Sequence, residues 1–113
     1  MHEYAVVENI VALAEKEAQN HSAQKVTQIN LVIGELASVQ PESLEMYFEL
    51  LSKDTVLEGA ILRFKSVPAE LKCEGCGETY EKKRSVLECP KCGSFGSFTG
   101  KGFEFYMESI EIE

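Results

Sequence analysis

The four cysteines of the chain are the residues whose type and spacing most directly predict chemistry. Cys73 and Cys76 form one C-x-x-C pair, and after twelve intervening residues Cys89 and Cys92 form a second. Two such pairs at this separation are typical of a tetrahedral four-thiolate metal site, in which each pair makes a tight turn and the intervening residues form a hairpin. We therefore predict a closed metal site in this part of the chain.

Other interpretations of four cysteines are two disulfides, a redox dithiol or an iron centre. The chain begins without the charged and then apolar segments of a secretion signal, so an oxidising compartment is not indicated. Iron remains an alternative because the repeated C-x-x-C-G turn resembles that of rubredoxin. Base rates favour zinc, and four protein thiolates leave no open coordination position for catalysis.

The first three residues, Met1, His2 and Glu3, form a second group of candidate metal ligands. The free α-amine, the His2 amide nitrogen and the His2 imidazole can close a five-membered and a six-membered chelate ring. Glu3 adds a further amide or its carboxylate. Deprotonated amides require a strongly polarising ion with a square-planar preference, which indicates Ni(II) or Cu(II). Taken alone this signal is weak, since a histidine at position 2 is more often an ordinary exposed residue.

Charge and composition limit the classes of partner. The 113 residues include 19 acidic and 11 basic side chains, a formal net charge of −8 that opposes binding to nucleic acid. The one local basic cluster, Lys82-Lys83-Arg84, is best interpreted as a solvated hairpin tip between the cysteine pairs. No apolar run approaches the roughly 18 residues of a membrane span. We expect a cytoplasmic protein with no membrane or nucleic-acid partner.

Hydrophobic periodicity predicts the elements that position these residues. Apolar residues recur at helical spacing over residues 3–20 and again over residues 41–52, where Pro41 lies at a favoured first helical position. Alternating or β-branched patterns predict strands over residues 26–33, 60–67 and 103–113.

The last strand is too long and too apolar to belong only to the cysteine hairpin, so we expect it to pair with the earlier strands. The predicted class is α+β, with two helices packed on a small, mostly antiparallel sheet formed by residues 1–69 and 103–113. Residues 70–102 then form an inserted zinc-ribbon domain. This insertion has few large apolar residues, so a bound metal must stabilise it.

The sequence as a whole resembles the HypA/HybF family of hydrogenase maturation factors, which are nickel metallochaperones. The similar segments are the opening MHE, the central GELASVQPESLEMYFELL and EGAILRF stretches, and the two C-x-x-C pairs. Together they cover essentially the whole chain. The resemblance implies a nickel site at Met1, His2 and Glu3, and structural zinc at Cys73, Cys76, Cys89 and Cys92.

The resemblance further implies that the protein delivers Ni(II) to the [NiFe]-hydrogenase large subunit together with the GTPase HypB, and that some relatives also serve urease maturation. A zinc-ribbon adaptor without nickel transfer is the main alternative, and it would bind its partners through the Lys82–Arg84 hairpin. A small electron carrier with iron at the cysteines is a third class. An enzyme is least favoured, because the sequence has no Ser/His/Asp arrangement and no phosphate-binding glycine loop.

Overall fold

The computed structural model describes residues 3–82 and 87–113, which form two helices and six strands. These elements are α1 (Glu3–Asn20), β1 (Val26–Gly34), α2 (Pro41–Leu51), β2 (Ile61–Val67), β3 (Glu70–Cys73), β4 (Thr79–Glu81), β5 (Gly96–Phe98) and β6 (Phe105–Ile112). Both helices and the three longer strands lie within two residues of the expected bounds. The α+β class is therefore confirmed.

The chain divides into two compact units. The helical unit comprises the residues up to Val32, then 38–65 and 106–113, and the ribbon unit comprises 33–37 and 66–105. The segment 33–37, which follows most of β1, thus belongs to the ribbon unit, although we expected that unit to begin near residue 70. Whether residues 70–102 fold as a separate inserted domain stays a prediction.

The core of the helical unit lies between its two helices and β1. The buried face of α1 repeats at helical spacing, and α1 packs against α2. The fully buried large side chains come from α1, β1, α2 and the loop before β2, and they are Val7, Val26, Ile29, Leu31, Val32, Leu44 and Leu57. In the described residues, neither helix is long and apolar enough to cross a membrane.

The first sheet has the strand order β2-β1-β6. Gln24 N–H donates to the Glu113 carbonyl near the start of β1, and Gly34 N–H donates to the Glu104 carbonyl at its end. β6 therefore runs antiparallel to β1, as expected for a last strand that returns to the first sheet.

The ribbon unit contains a second sheet with the order β4-β3-β5, in which both pairings are antiparallel. Leu71 of the central strand lies opposite Tyr80 on one side and Phe98 on the other. Beyond segment 33–37, the buried apolar residues of the described part of this unit are only Ala69, Leu71, Cys73 and Cys89. Such a small core requires further stabilisation.

A close backbone crossing connects segment 33–37 to the rest of the ribbon unit. Leu36 N–H donates to the Gly102 carbonyl at 2.7 Å. A Cβ on Gly34 would lie 2.0 Å from that same carbonyl oxygen, which is far inside contact distance. Glycine at position 34 is therefore required by the closeness of the two chain segments.

Candidate metal centres

The four cysteine sulfurs converge on one site in the ribbon unit. Their Sγ atoms all lie within 4.8 Å of one another, with 3.3 Å between Cys73 and Cys92 and 3.8 Å between Cys76 and Cys89. Four thiolates at the usual Zn–S distance of about 2.3 Å in a tetrahedron would be about 3.8 Å apart. The sulfur positions thus fit a zinc-sized ion with small adjustments.

The two C-x-x-C pairs adopt the same turn. Gly77 N–H donates to the Cys73 carbonyl at 3.1 Å, and Gly93 N–H donates to the Cys89 carbonyl at 2.9 Å. Both glycines have φ near +78°, a conformation that other residues rarely adopt. In the first turn Gly75 N–H also donates to Cys73 Sγ at 3.3 Å. The repeated C-x-x-C-G pattern therefore encodes two equivalent turns.

Each pair contains one buried and one exposed cysteine. Cys73 and Cys89 are buried, whereas Cys76 and Cys92 are exposed. All four are free, and the shortest of these S–S distances is far above the roughly 2.05 Å of a disulfide. The first cysteine of each pair therefore faces the protein interior, and the second borders solvent.

The metal-free thiols differ in acidity because their hydrogen-bonding partners differ. Hydrogen bonds from the Ser94 backbone and then its side chain lower the pKa of Cys92 to about 6. The Cys92 and Lys91 N–H groups lower the pKa of Cys89. A Glu78 backbone contact acts to lower the pKa of Cys76, but desolvation and hydrogen bonds to the other thiols outweigh it and raise that pKa to about 11. At neutral pH a metal ion must therefore displace protons from this group.

The N-terminal candidate site is described only at Glu3, because Met1 and His2 lie outside the described residues. Glu3 is the first residue of α1, and its Oε2 accepts a hydrogen bond from the Gln40 N–H at 3.3 Å. Gln40 is the N-cap of α2 and has no side-chain cap of its own. A carboxylate at this position satisfies a free helix N–H and is favoured by the helix dipole.

A pair of aromatic rings also holds the start of α1 against α2. The rings of Tyr4 and Tyr47 meet edge to face, with centroids 5.6 Å apart and an interplanar angle of 88°. The residue next to the candidate nickel ligands is thus held by α2. This role of Gln40 and Tyr47 could not be predicted from the sequence, since no local pattern links positions 40 and 47 to positions 3 and 4.

Other potential ligands in the described residues have different partners. His21 Nε2 lies 2.9 Å from Glu17 Oε1 on the same exposed helix face. Among residues 3–82 and 87–113, the four cysteines are the only group of three or more His, Cys, Asp or Glu side chains close enough to hold a metal ion.

The basic cluster between the cysteine pairs is only partly described. Lys83 and Arg84 lie outside the described residues, whereas Lys82 Nζ lies 3.1 Å from Glu35 Oε2. The other oxygen of Glu35 accepts a hydrogen bond from the Ala69 N–H at 2.9 Å. Lys82 therefore belongs to a contact that joins segment 33–37 to the strands of the ribbon unit, a role that sequence analysis missed.

The fold and the cysteine site define a class of small α+β protein that carries a four-thiolate metal-binding ribbon. Residues 1–112 match the family model described as "Hydrogenase/urease nickel incorporation, metallochaperone, hypA". The chain is 44% identical to the hydrogenase maturation factor HypA of Caldanaerobacter subterraneus subsp. tengcongensis over the full length of both chains. It is 42% identical to the HypA of Dehalococcoides mccartyi strain 195 over all of this chain and 95% of that protein.

Solved structures give the same result. The solution structure of the Ni metallochaperone HypA from Helicobacter pylori matches with a TM-score of 0.66 and 30% identity over 99% of this chain and 97% of that one. A second solution structure of a HypA protein matches with a TM-score of 0.70 and 29% identity, covering 100% of this chain and 97% of that one. The chain belongs to the HypA family, whose members are nickel-incorporation metallochaperones and maturation factors.

Proposed function

We propose that this protein binds Ni(II) through Met1, His2 and Glu3 and delivers it for the maturation of [NiFe]-hydrogenase. The observation that carries this proposal is the family match, which begins at residue 1 and so includes the MHE motif. The contacts of Glu3 with Gln40 and of Tyr4 with Tyr47 support it, because they hold the last residue of the proposed ligand set and the residue that follows it.

A ligand set at the end of the chain suits a transfer function. The α-amine and the His2 imidazole both gain protons as the pH falls, so acid competes with the metal for the same lone pairs. The ligands of Met1 and His2 at the chain end can also leave the metal one at a time, while Tyr4 stays packed against Tyr47 of α2. Tight binding during transport is thereby compatible with release to an acceptor.

We propose that the four cysteines hold structural Zn(II). Four thiolates satisfy the tetrahedral preference of zinc and leave no open position, so the ion stabilises the fold and does not take part in a reaction. The near-tetrahedral sulfur spacing and the small core of the ribbon unit support this assignment. Iron in the same cage would be coloured and redox-active, so a colourless protein would exclude it.

The proposed partners are the GTPase HypB and the large subunit of [NiFe]-hydrogenase, and the proposed location is the cytoplasm. The family description also includes urease, so urease maturation proteins are proposed as further partners. No catalytic role is proposed for this chain.

The decisive experiment is a nickel titration with parallel measurement of zinc content. Untagged protein is compared with His2→Ala and with a form extended by two residues ahead of Met1, and His21→Ala is the matched control. We expect one zinc per chain in all four proteins, and nickel binding only in the untagged protein and the His21→Ala variant.

Equal nickel binding by all four proteins would place the nickel site elsewhere and would contradict the proposal. The protein would then be better described as a zinc-ribbon adaptor. Nickel binding that is as tight at mildly acidic pH as at neutral pH would also contradict it, because the α-amine and His2 would not be the ligands.

A further inference from the structure

The helical unit contains an apolar groove between the second half of α2 and the start of β2. The groove has a volume of about 550 Å³. Its apolar lining consists of Phe48, Leu62 and Ile61, of which Phe48 is only 4% exposed, Leu62 is half-buried and Ile61 is 51% exposed. Glu45, Glu49 and Glu58 line its margin, and we call the site formed by these six residues the α2–β2 groove.

The three glutamates have no counter-ion or hydrogen-bonding partner among the described residues. The ion pairs among the described residues involve other acidic side chains. Among these residues, only Lys82 of the ribbon unit has an interaction beyond the ion pairs, hydrogen bonds and ring contact within the described part of the chain. Lys53 also borders the groove, but it forms no ion pair with residues in the described part of the chain. The groove therefore combines the exposed side chain of Ile61 and the half-buried Leu62 with carboxylates that can interact with an incoming cation.

The net charge of the whole helical unit also favours a positively charged partner. It contains twelve acidic and five basic side chains, a net charge of −7, whereas the ribbon unit has seven acidic and six basic side chains when its thiols are neutral. Almost all of the negative charge of the protein is thus carried by the unit that contains the groove. This field favours the approach of a positively charged partner.

The size and charge of the groove decide between classes of occupant. Its volume is that of a ligand site, and its carboxylates do not converge as metal ligands do within the described residues. Phosphates of a nucleic acid would be repelled, and a second copy of this chain would bring the same net negative charge. A segment of a partner protein with an arginine or lysine beside apolar residues matches both the carboxylates and the apolar side chains of the groove.

We propose that the α2–β2 groove is a docking site for a basic, partly apolar segment of another protein. The aliphatic stem of an arginine or lysine lies against Ile61 and Leu62, as long basic side chains do on apolar surfaces. Its charged end reaches the marginal glutamates, and arginine is favoured because its planar fork can bind a carboxylate through two hydrogen bonds. This inference does not depend on nickel binding, since none of the six residues belongs to either metal site.

The test is an NMR titration of the zinc-loaded, full-length protein with a synthetic heptapeptide in which two arginines alternate with valine and leucine. A control peptide carries glutamate in place of both arginines. We expect backbone amide shifts confined to residues 45–62 with the basic peptide and none with the acidic one. Glu49→Gln and Glu58→Gln should each weaken binding about two- to five-fold, the range for exposed charge pairs, whereas Glu8→Gln on α1 should not.

Several results would overturn the proposal. One is the absence of shifts at millimolar peptide, and another is shifts that map to residues outside 45–62. Equal binding of the acidic peptide would show that charge does not select the occupant. Concentration-dependent dimerisation that Ile61→Glu abolishes would assign the groove to a second copy of the chain.

Discussion

At the scale of single residues, Glu35 shows how one side chain can join distant parts of the ribbon unit. Its carboxylate accepts hydrogen bonds from the Ala69 N–H and from the Lys82 ammonium. These contacts, first the Ala69 bond and then Lys82, lower the pKa of Glu35 below its ordinary value of 4.5. The charged form is therefore favoured by the fold.

The lowered pKa predicts how stability depends on pH. A carboxyl group whose pKa is lower in the folded state stabilises that state above its unfolded pKa, and the stabilisation is lost as the pH falls through the folded value. Glu35→Gln should therefore lower the free energy of unfolding most at neutral pH, and by progressively less below pH 4.5. Chemical denaturation at several pH values measures this, with the exposed Glu8→Gln as the control.

A difference between Glu35→Gln and the wild type that stays constant from pH 7 to pH 3 would contradict this prediction. It would show that the Glu35 contacts do not depend on the charge of the carboxylate. Loss of zinc in acid would remove the same contacts by unfolding the ribbon unit, so the comparison uses only the pH values at which both proteins retain their zinc.

At the scale of elements, the starts of α1 and α2 are held together by the Tyr4–Tyr47 ring pair and the Glu3–Gln40 hydrogen bond. Edge-to-face aromatic pairs contribute about 0.5–1.5 kcal/mol beyond the burial of their area. Because the proposed nickel ligands directly precede Tyr4, freedom in the first turn of α1 increases the entropy that nickel binding must remove.

Tyr47→Leu keeps an apolar side chain on α2 but removes the ring pair. We expect nickel affinity to fall about two- to tenfold, which corresponds to the free energy of such a pair. Zinc content should be unchanged. Isothermal titration measures the affinity, and Tyr106→Leu, an exposed tyrosine on β6, is the matched control. Unchanged nickel affinity in Tyr47→Leu would show that the first turn of α1 does not position the nickel ligands.

The helices, the long strands and the cysteine site could be predicted because each is encoded locally. Helical spacing marks the buried face of α1, and the repeated C-x-x-C-G pattern marks two turns that need glycine at positive φ. Pro41 marked the start of α2 for the same kind of reason, since its fixed φ suits a first helical position.

Contacts between distant positions could not be predicted, because they depend on which segments the fold brings together. The Glu35–Ala69–Lys82 contact is one example. The start of β6 is another. We expected the last strand to begin at residue 103, but the chain turns at residues 101–102, where Gly102 has φ +112° and its N–H donates to the Glu104 carboxylate, and the strand begins only at Phe105.

The face of β6 that is half-buried also changes along the strand. Phe105 and Met107 are half-buried, and the next half-buried residue is Ile110. The shift from a spacing of two to a spacing of three shows where simple alternation fails in this strand.

At the scale of the whole molecule, the two units differ in what stabilises them. The helical unit buries large side chains from α1, β1 and α2, whereas the buried apolar side chains of the described part of the ribbon unit are few and include two of the proposed metal ligands. A unit of this kind loses its main stabilising interaction when the metal leaves. The helical unit keeps its own core under the same conditions.

Removal of zinc with a strong chelator under reducing conditions should therefore unfold the ribbon unit and leave the helical unit folded. In an NMR spectrum, we expect the amide signals of residues 69–81 and 88–102 to collapse to unfolded positions, while those of residues 5–20 and 41–57 stay dispersed. Helical circular dichroism should be largely retained. As a matched control, Leu44→Ala removes a fully buried side chain and should destabilise the helical unit by about 2–5 kcal/mol with zinc still bound. If chelation instead abolished both sets of signals together, the two units would form one cooperative structure that depends throughout on the metal.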